Sequence, residues 1–367
     1  KDYREAFDRY GDRFDAVIVS TPDHTHGPIM LTALANGKHV YGQKPLVQQL
    51  EELSMIDAAM DARPELVTQV GNQRMDYPGR RAAVEILRSG VLGPAVAAHA
   101  WTGSPNPGSY FNYDRVLHEP AECPGHIDYD LWLGPCAEVP YRDEMLPVKW
   151  RSWWDYGTGG LGDWGVHVLD VIFYGYDELQ SPIAVKTHAP RPSEAFHTYP
   201  CLSTITYEVD SPRFANSFFP LHYADSGQTV SRAALGLPPG EWKDSNMTVV
   251  QCEGGVLALT AGGDLEVWRD GVMTPGLEMP GLPEFPELNH WHAWVDNIVG
   301  KDTKLWTPFK EGVRITEPAL LAVKAARFPN VELAWDRSTN SFTNHEEATR
   351  TIVRREYRPG FAPPQIG

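Results

Sequence analysis

Three residues of this chain have the types and the surroundings to move a proton and hold a developing negative charge: Lys44, Asp163 and His167. Asp163 and His167 stand four apart in GTGGLGDWGVHVLDVIFY (Gly157 to Tyr174). There Leu161, Trp164, Val168 and Val171-Ile172 predict a helix, and residues four apart on a helix share a face. A carboxylate and an imidazole would then point into one cleft. Taken alone, the pair reads equally well as a helix-end aspartate and a core histidine. Joined to Lys44, it makes chemical sense. Oxidation of a secondary alcohol requires removal of the hydroxyl proton as hydride leaves carbon, which suits an imidazole whose ordinary pKa is near neutral. A lysine ammonium beside the same oxygen would stabilise developing negative charge in a water-poor site. His167 is therefore the candidate base, Lys44 the oxyanion stabiliser, and Asp163 the group that orients substrate or lysine. Pro45 biases Lys44 toward extended backbone and stiffens the strand exit; otherwise Lys44 is an ordinary surface lysine.

The elements that must position these groups are three short apolar strands, each ending in polar residues: DAVIVSTPDHTH (Asp15 to His26), HVYGQKPL (His39 to Leu46) and LVTQVGNQ (Leu66 to Gln73). In an open parallel sheet ligands bind outside the carboxyl ends of the strands. One crevice should thus collect Ser20-Thr21-Pro22, Gln43-Lys44-Pro45 and Asn72-Gln73, and a nucleotide cofactor would sit there. A helix over Gly27 to Asn36, closed by Gly37, follows the first strand. Leu50, Leu53, Ile56 and Met60 mark an amphipathic helix within Val47 to Arg63. A third helix runs through Val84 and Leu87 to Ser89-Gly90. Alternating strands and helices imply crossover units and a parallel sheet.

Beyond Gly93 the pattern changes to candidate strands with few helices: Ala95 to Trp101, Ile183 to His188, Ser203 to Val209, Met247 to Gln251 and Val256 to Thr260, with Glu253-Gly254-Gly255 as a hairpin signal. The expected fold class is α/β: a partial Rossmann-like domain over 1–93, then an α+β domain with a large, mainly antiparallel open sheet over 94–367. Thr102 to Lys149 is rich in Pro, Gly, Tyr and Asp, has no clear period, and is long enough to expect a functional loop.

Composition narrows the function class. A chain of 367 residues, 42% hydrophobic and 22% charged, suits about two globular domains. No apolar run approaches the roughly 20 residues of a membrane span. A formal charge of −16 argues against nucleic acid or an anionic lipid surface as partner, since both require a positive patch. Cys123, Cys136, Cys201 and Cys252 lack close spacing, so neither a zinc ribbon nor a disulfide framework is indicated. The chain starts at Lys1 without methionine, signal region or transit peptide, so this end is expected to be internal to a longer gene product.

Gly157 to Gly162 satisfies G-x-G-x-x-G literally, but Trp153-Trp154-Asp155-Tyr156 precede it in place of an apolar strand and no βαβ unit follows, so it is not read as a pyrophosphate loop. Trp101, Trp150, Trp153, Trp154 and Trp164 cluster around the predicted cleft. Of these, Trp101, Trp154 and Trp164 are candidates to face a sugar ring, against the commoner role of tryptophan in cores and interfaces. Asn72, Gln73 and Arg74 leave the third strand toward the same crevice and could bind hydroxyls, although a turn explains Asn72 equally well. The pairs His24/His26 and His290/His292 lack a third defined ligand, so no metal is expected, and His24 is placed in the cofactor pocket. The aromatic helix His290 to Gly300 reads as packing.

The conjunction of STPDHTHGPIMLTALANGKHVYGQKPL, TQVGNQ, GVLGP before a strand and GGLGDWGVHVLD resembles the Gfo/Idh/MocA family of NAD(P)-dependent oxidoreductases. DYDLWLGP (Asp128 to Pro135) and REYRPGF (Arg355 to Phe361) extend the likeness to a bacterial branch whose members often carry export signals, so the compartment, cytoplasm or periplasm, stays open. The resemblance implies a nicotinamide cofactor, NAD or NADP, a sugar or polyol substrate, and a homodimer or homotetramer formed through the C-terminal sheet. By resemblance, Lys44 is the lysine of the family's Glu-Lys-Pro motif, Asp163 and His167 are its Asp-x-x-x-His pair, and Ser20, Thr21 and Pro22 are the turn facing the nicotinamide and its ribose. The motif's glutamate is Gln43 here, which keeps the shape but removes a negative charge beside the lysine. The family's first strand, glycine-rich turn and ribose-reading acid would all precede Lys1. Two other readings stand beside the dehydrogenase. One is an NAD-dependent glycoside hydrolase acting by transient oxidation and elimination, and the other a non-catalytic sugar-binding relative.

Overall fold

The structure, a computed structural model, describes residues 2–104 and 111–366. Helix α1 (Tyr3–Tyr10) leads into β1 (Ala16–Val19), α2 (Asp23–Ala35), β2 (His39–Gly42), α3 (Leu50–Ala62) and β3 (Thr68–Val70). The three strands pair in parallel in the order β1-β2-β3, with α2 and α3 as the crossovers that such pairing requires. The spacing that predicted α3 is realised: Leu50, Leu53, Ile56 and Met60 are all buried, each contributing on the order of 1.5–3 kcal/mol. Helix α2 starts four residues before the predicted Gly27. Pro22 is its N-cap, in extended conformation, and Asp23, His24 and His26 are buried instead of forming an open turn.

Helix α4 (Pro78–Ser89), closed by Gly90 in the left-handed conformation, carries the chain to β4 (Ala95–Trp101). A short α5 (Tyr129–Leu133) lies within the long polar stretch, whose described residues otherwise lack regular elements up to Lys149. Leu133 and Met145 of that stretch pack with Trp150, Trp153 and Tyr156, which follow it, in a small core of their own. Six residues of the stretch, 105–110, lie outside the described residues. Helix α6 (Gly159–Gly175) follows, then β5 (Ala184–His188), β6 (Leu202–Glu208), β7 (Phe218–Ala224), β8 (Met247–Cys252), β9 (Gly255–Thr260), β10 (Leu265–Arg269) and β11 (Val272–Pro275). The chain closes with α7 (His290–Ile298), α8 (Phe309–Ala325), β12 (Glu332–Asp336), β13 (Ser341–Phe342) and α9 (Glu346–Ile352).

Strands β4 to β13 form one ten-stranded sheet in the order β11-β10-β9-β8-β4-β7-β6-β5-β12-β13. It is antiparallel throughout except for β4 with β7. The Glu253-Gly254 hairpin joins β8 to β9, with Cys252 opposite Gly255. Strand β7 was hidden in the sequence by Pro220. This proline sits opposite Thr206 of β6, just before pairing with β4 begins at Leu221, where a missing N–H leaves no ladder bond unmade.

Helices α6 and α8 cover one face of this sheet. They approach so closely that a Cβ on Gly165 would lie 2.6 Å from Cβ of Ala319. On the other side α8 reaches the small sheet, where Gly312 leaves room for Val70 and the Phe309 N–H donates to Thr68 Oγ1 at 3.2 Å. The helix that carries Asp163 and His167 is thus held, through α8, against the sheet that carries Lys44. Gly165→Ala should destabilise the protein by about 1–3 kcal/mol through overpacking. In urea unfolding, combining it with Ala319→Gly should lose less stability than the sum of the two changes; strict additivity would mean that the helices do not meet at this contact.

Candidate active site

Lys44 leaves β2 and crosses to α6. Its Nζ donates to Asp163 Oδ1 and to the Asp163 carbonyl, both at 2.8 Å. The lysine side chain is 19% exposed and the aspartate's 6%, so the pair is largely removed from water but open at one side. The Lys44–Pro45 peptide is cis. Arg151, absent from the sequence expectations, places Nε 3.5 Å from the same carboxylate oxygen, so one carboxylate holds two cations over the strand end.

His167, one turn further along α6, is buried. Its Nδ1 lies 3.3 Å from Asn72 Oδ1. The orientation of that amide follows from its other end, where Asn72 Nδ2 donates to Asp170 Oδ2 at 3.1 Å. Asp170 in turn is ion-paired with Arg80, both side chains fully buried, and Arg80 also donates to the His167 carbonyl at 2.9 Å. A carboxylate only accepts, so Asn72 must present its N–H to Asp170 and its oxygen to the imidazole. Nδ1 therefore carries the hydrogen, and Nε2 is left with a lone pair. Burial, and then the positive charges of Lys44, Arg74 and Arg80, hold the His167 pKa well below its ordinary value. The resting ring is neutral, as a base must be. Trp164 packs edge-on to it with ring centroids 5.8 Å apart, and the Arg74 guanidinium lies 5.2 Å over the Trp164 ring.

Ser20 and Thr21 are exposed beyond the end of β1, with Pro22 partly so; Gln43 is half-buried beyond β2, where its side chain fills the space a Cβ on Gly71 would need. These four stand at the carboxyl edge as expected. His26 clasps the two strand ends together, one ring nitrogen 2.8 Å from the Thr21 carbonyl and the other 2.8 Å from that of Pro45.

Four expectations need correction. His24 is fully buried, with Nε2 2.8 Å from the Trp132 carbonyl and its ring against Tyr156, and burial lowers its pKa to about 3; it joins α2 to α5 and does not line the strand-end crevice. Trp101 belongs to another cluster, with Trp242, Leu235 and Met247. The alternation of β4 turns Ala98 and Ala100 into the core under α6 and Trp101 to the opposite face. Trp154 packs against His197, ring centroids 4.0 Å apart and tilted by 35°, and under Arg327, its carbonyl accepting from Gln48, so it is packing. Gln73 lines a separate cleft, described below. Sequence reasoning also missed Arg80 and Asp170. Asp170 stands seven after Asp163 and three after His167, on the same helix face, and that spacing was the available signal.

A model described as the oxidoreductase family's NAD-binding Rossmann fold matches residues 1–71, and that of the family's C-terminal alpha/beta domain matches residues 84–211; together they take in more than half of the chain. Inositol 2-dehydrogenase of Rubrobacter xylanophilus is 34% identical over 101 residues, 27% of this chain and 29% of that protein. Levoglucosan dehydrogenase of Pseudarthrobacter phenanthrenivorans is 26% identical over 171 residues, 46% of this chain and 35% of its own length. The chain thus spans about a third of the length of the curated relatives it matches. Among solved structures, an inositol dehydrogenase homologue from Azotobacter vinelandii, complexed with NADH and myo-inositol, aligns with TM-score 0.57 and 16% identity over 91% of this chain and 82% of its own. An aldose-aldose oxidoreductase from Caulobacter crescentus, complexed with glycerol, aligns with TM-score 0.56 and 16% identity over 90% and 83%. With the fold and both family models in agreement, the chain belongs to the Gfo/Idh/MocA oxidoreductase family.

Proposed function

We propose that this protein is an oxidoreductase that transfers a hydride between a secondary alcohol of a sugar or polyol and a nicotinamide cofactor, NAD or NADP. The observation that carries this reading is the hydrogen-bonded chain from Arg80 through Asp170 and Asn72 to His167, which leaves Nε2 as a neutral acceptor in the field of the Lys44 ammonium. The names of the curated relatives, inositol 2-dehydrogenases and a levoglucosan dehydrogenase, support the substrate class.

The residues present fit the cofactor's reactive end. Ser20 and Thr21 stand exposed at the carboxyl edge of the parallel sheet, beside half-buried Gln43 and Lys44, and these with Pro22 would hold it. When bound, the nicotinamide supplies the acceptor for the hydride. The chain's own residues handle the proton and the oxygen. His167 Nε2 takes the hydroxyl proton as the C–H electron pair leaves carbon. Lys44, held by Asp163, stabilises the oxygen while its charge develops. Trp164, whose buried Nε1 lacks a hydrogen-bond partner among the described residues, offers a donor to a substrate hydroxyl and a wall that excludes water.

The reading extends to assembly. The face of the ten-stranded sheet turned away from α6 and α8 carries stacked His99 and His222, 4.9 Å apart, and exposed Phe218, and these support a homodimer or homotetramer formed through that sheet. Among the described residues no helix is long and apolar enough to cross a membrane.

NADH formation on incubation with myo-inositol, other polyols and aldoses tests the activity. His167→Ala should lower kcat about 10²–10⁴-fold and Lys44→Met about 10²–10³-fold; turnover indifferent to both would sink the assignment. The pH profile follows from the lowered pKa of His167. The base is neutral above its pKa, so kcat/KM should stay level as pH falls through 6.5 and drop only below it. Arg74→Gln removes one of the charges that lowers that pKa, and should move the acid limb to higher pH. An unmoved limb would assign it to another group.

A further inference from the structure

On the far side of the turn formed by Gln73–Asp76 lies a second cleft that the chemistry above does not use. Its volume is about 360 Å³ and its walls include Gln73, Asp76, Tyr77, Asn289, His290 and Trp291, a size within the roughly 300–1,000 Å³ usual for small-molecule sites. Two large rings stand open there, Tyr77 at 43% and Trp291 at 55% exposure. Beside them two acceptors face each other. His290 Nε2 lies 3.1 Å from the Val70 carbonyl, to which it must donate, so its Nδ1 carries the lone pair. That lone pair faces Asp76 Oδ2 at 3.7 Å, and the aspartate side chain is only 10% exposed. Oδ2 is buried without a hydrogen-bond partner among the described residues. Burial pushes the Asp76 carboxyl up to about 6 and His290 down to about 4, in keeping with two acceptors that lack donors.

What the cleft lacks is a pair of donors close together, next to a flat apolar face. A vicinal diol on a sugar ring supplies one O–H to each acceptor, and the C–H face of the same ring suits an indole and a phenol. We propose that this cleft binds a saccharide ring, its diol held by Asp76 and His290 and its apolar face by Trp291 and Tyr77, as a second sugar unit beyond the one oxidised at His167. The inference rests on the dehydrogenase reading for the role of that second unit. Asn72, immediately before the turn, holds His167, while Gln73 and Asp76 line the cleft, so a two-unit saccharide is the ligand that addresses both sides of the turn.

Calorimetric titration of the full chain with maltose, cellobiose and lactose, each against glucose, tests this without requiring turnover. At least one disaccharide should bind tenfold or more tightly than glucose. Trp291→Ala and Asp76→Asn should each remove that advantage, and Trp291→Phe should keep most of it. Trp291 is exposed, so its removal spares the core, and thermal melting of each variant confirms folding. Absence of any disaccharide preference, or a preference that survives both Trp291→Ala and Asp76→Asn, overturns the proposal. The dehydrogenase reading fails by a different result: no NADH from any sugar while the Trp291-dependent binding remains.

Discussion

The ion pair between Arg80 and Asp170 is wholly buried, with neither side chain exposed to solvent. Removing two charges from water costs several kcal/mol per ion, and only good geometry with further hydrogen bonds offsets it. Here the further bonds are present. Arg80 also donates to the carbonyls of His167 and Thr260, and Asp170 accepts from Asn72 and from the Val171 N–H. The pair therefore ties α4, α6, the end of β9 and the loop after β3 to one point. Loss of one partner would leave a bare charge in the core, a penalty of about 3–5 kcal/mol, so the four elements share one arrangement.

From that point the site is built outward. Asn72 transmits the orientation of Asp170 to the imidazole, and the spacing of α6 then places Asp163 one turn back, where Lys44 reaches it from the other sheet. His26 holds the two strand ends that flank this contact. The segments DYDLWLGP and REYRPGF, far apart in the chain, also meet: Arg358 bonds to Asp130 and to the Gly134 carbonyl, and the Tyr357 hydroxyl donates to Glu52 at the start of α3. The C-terminal tail is thereby fastened across the helix that follows the Lys44 turn.

Much of this was legible in the sequence, and for local reasons. Period-3.6 burial marked α3, short apolar runs marked the three parallel strands, and i,i+4 spacing put Asp163 and His167 on one face. What was not legible depends on contacts distant in the chain. The role of Asn72 requires Asp170 and Arg80, and nothing local joins residues 72, 80 and 170. Helix α8 was hidden by Gly312 and Pro318, residues that read as breakers yet here serve a helix packed on both sheets. His24 was misplaced because a polar run after a strand reads as an open turn, whereas the segment around α5 covers it. Trp101 was misplaced because residue type does not reveal which face of a strand lies under a helix.

The partner that orients His167 has one more consequence. It is a neutral amide, in a setting of three cations, whereas a carboxylate behind the ring would stabilise the imidazolium that forms when Nε2 accepts a proton. An imidazolium without that support is a strong acid. In the proposed reaction such a residue gives a proton to a carbonyl oxygen more readily than it keeps one taken from an alcohol, so the internal equilibrium of the bound state leans toward reduction. Net oxidation then draws its direction from the supply of oxidised cofactor and the removal of product, and the strength of the base does not set it.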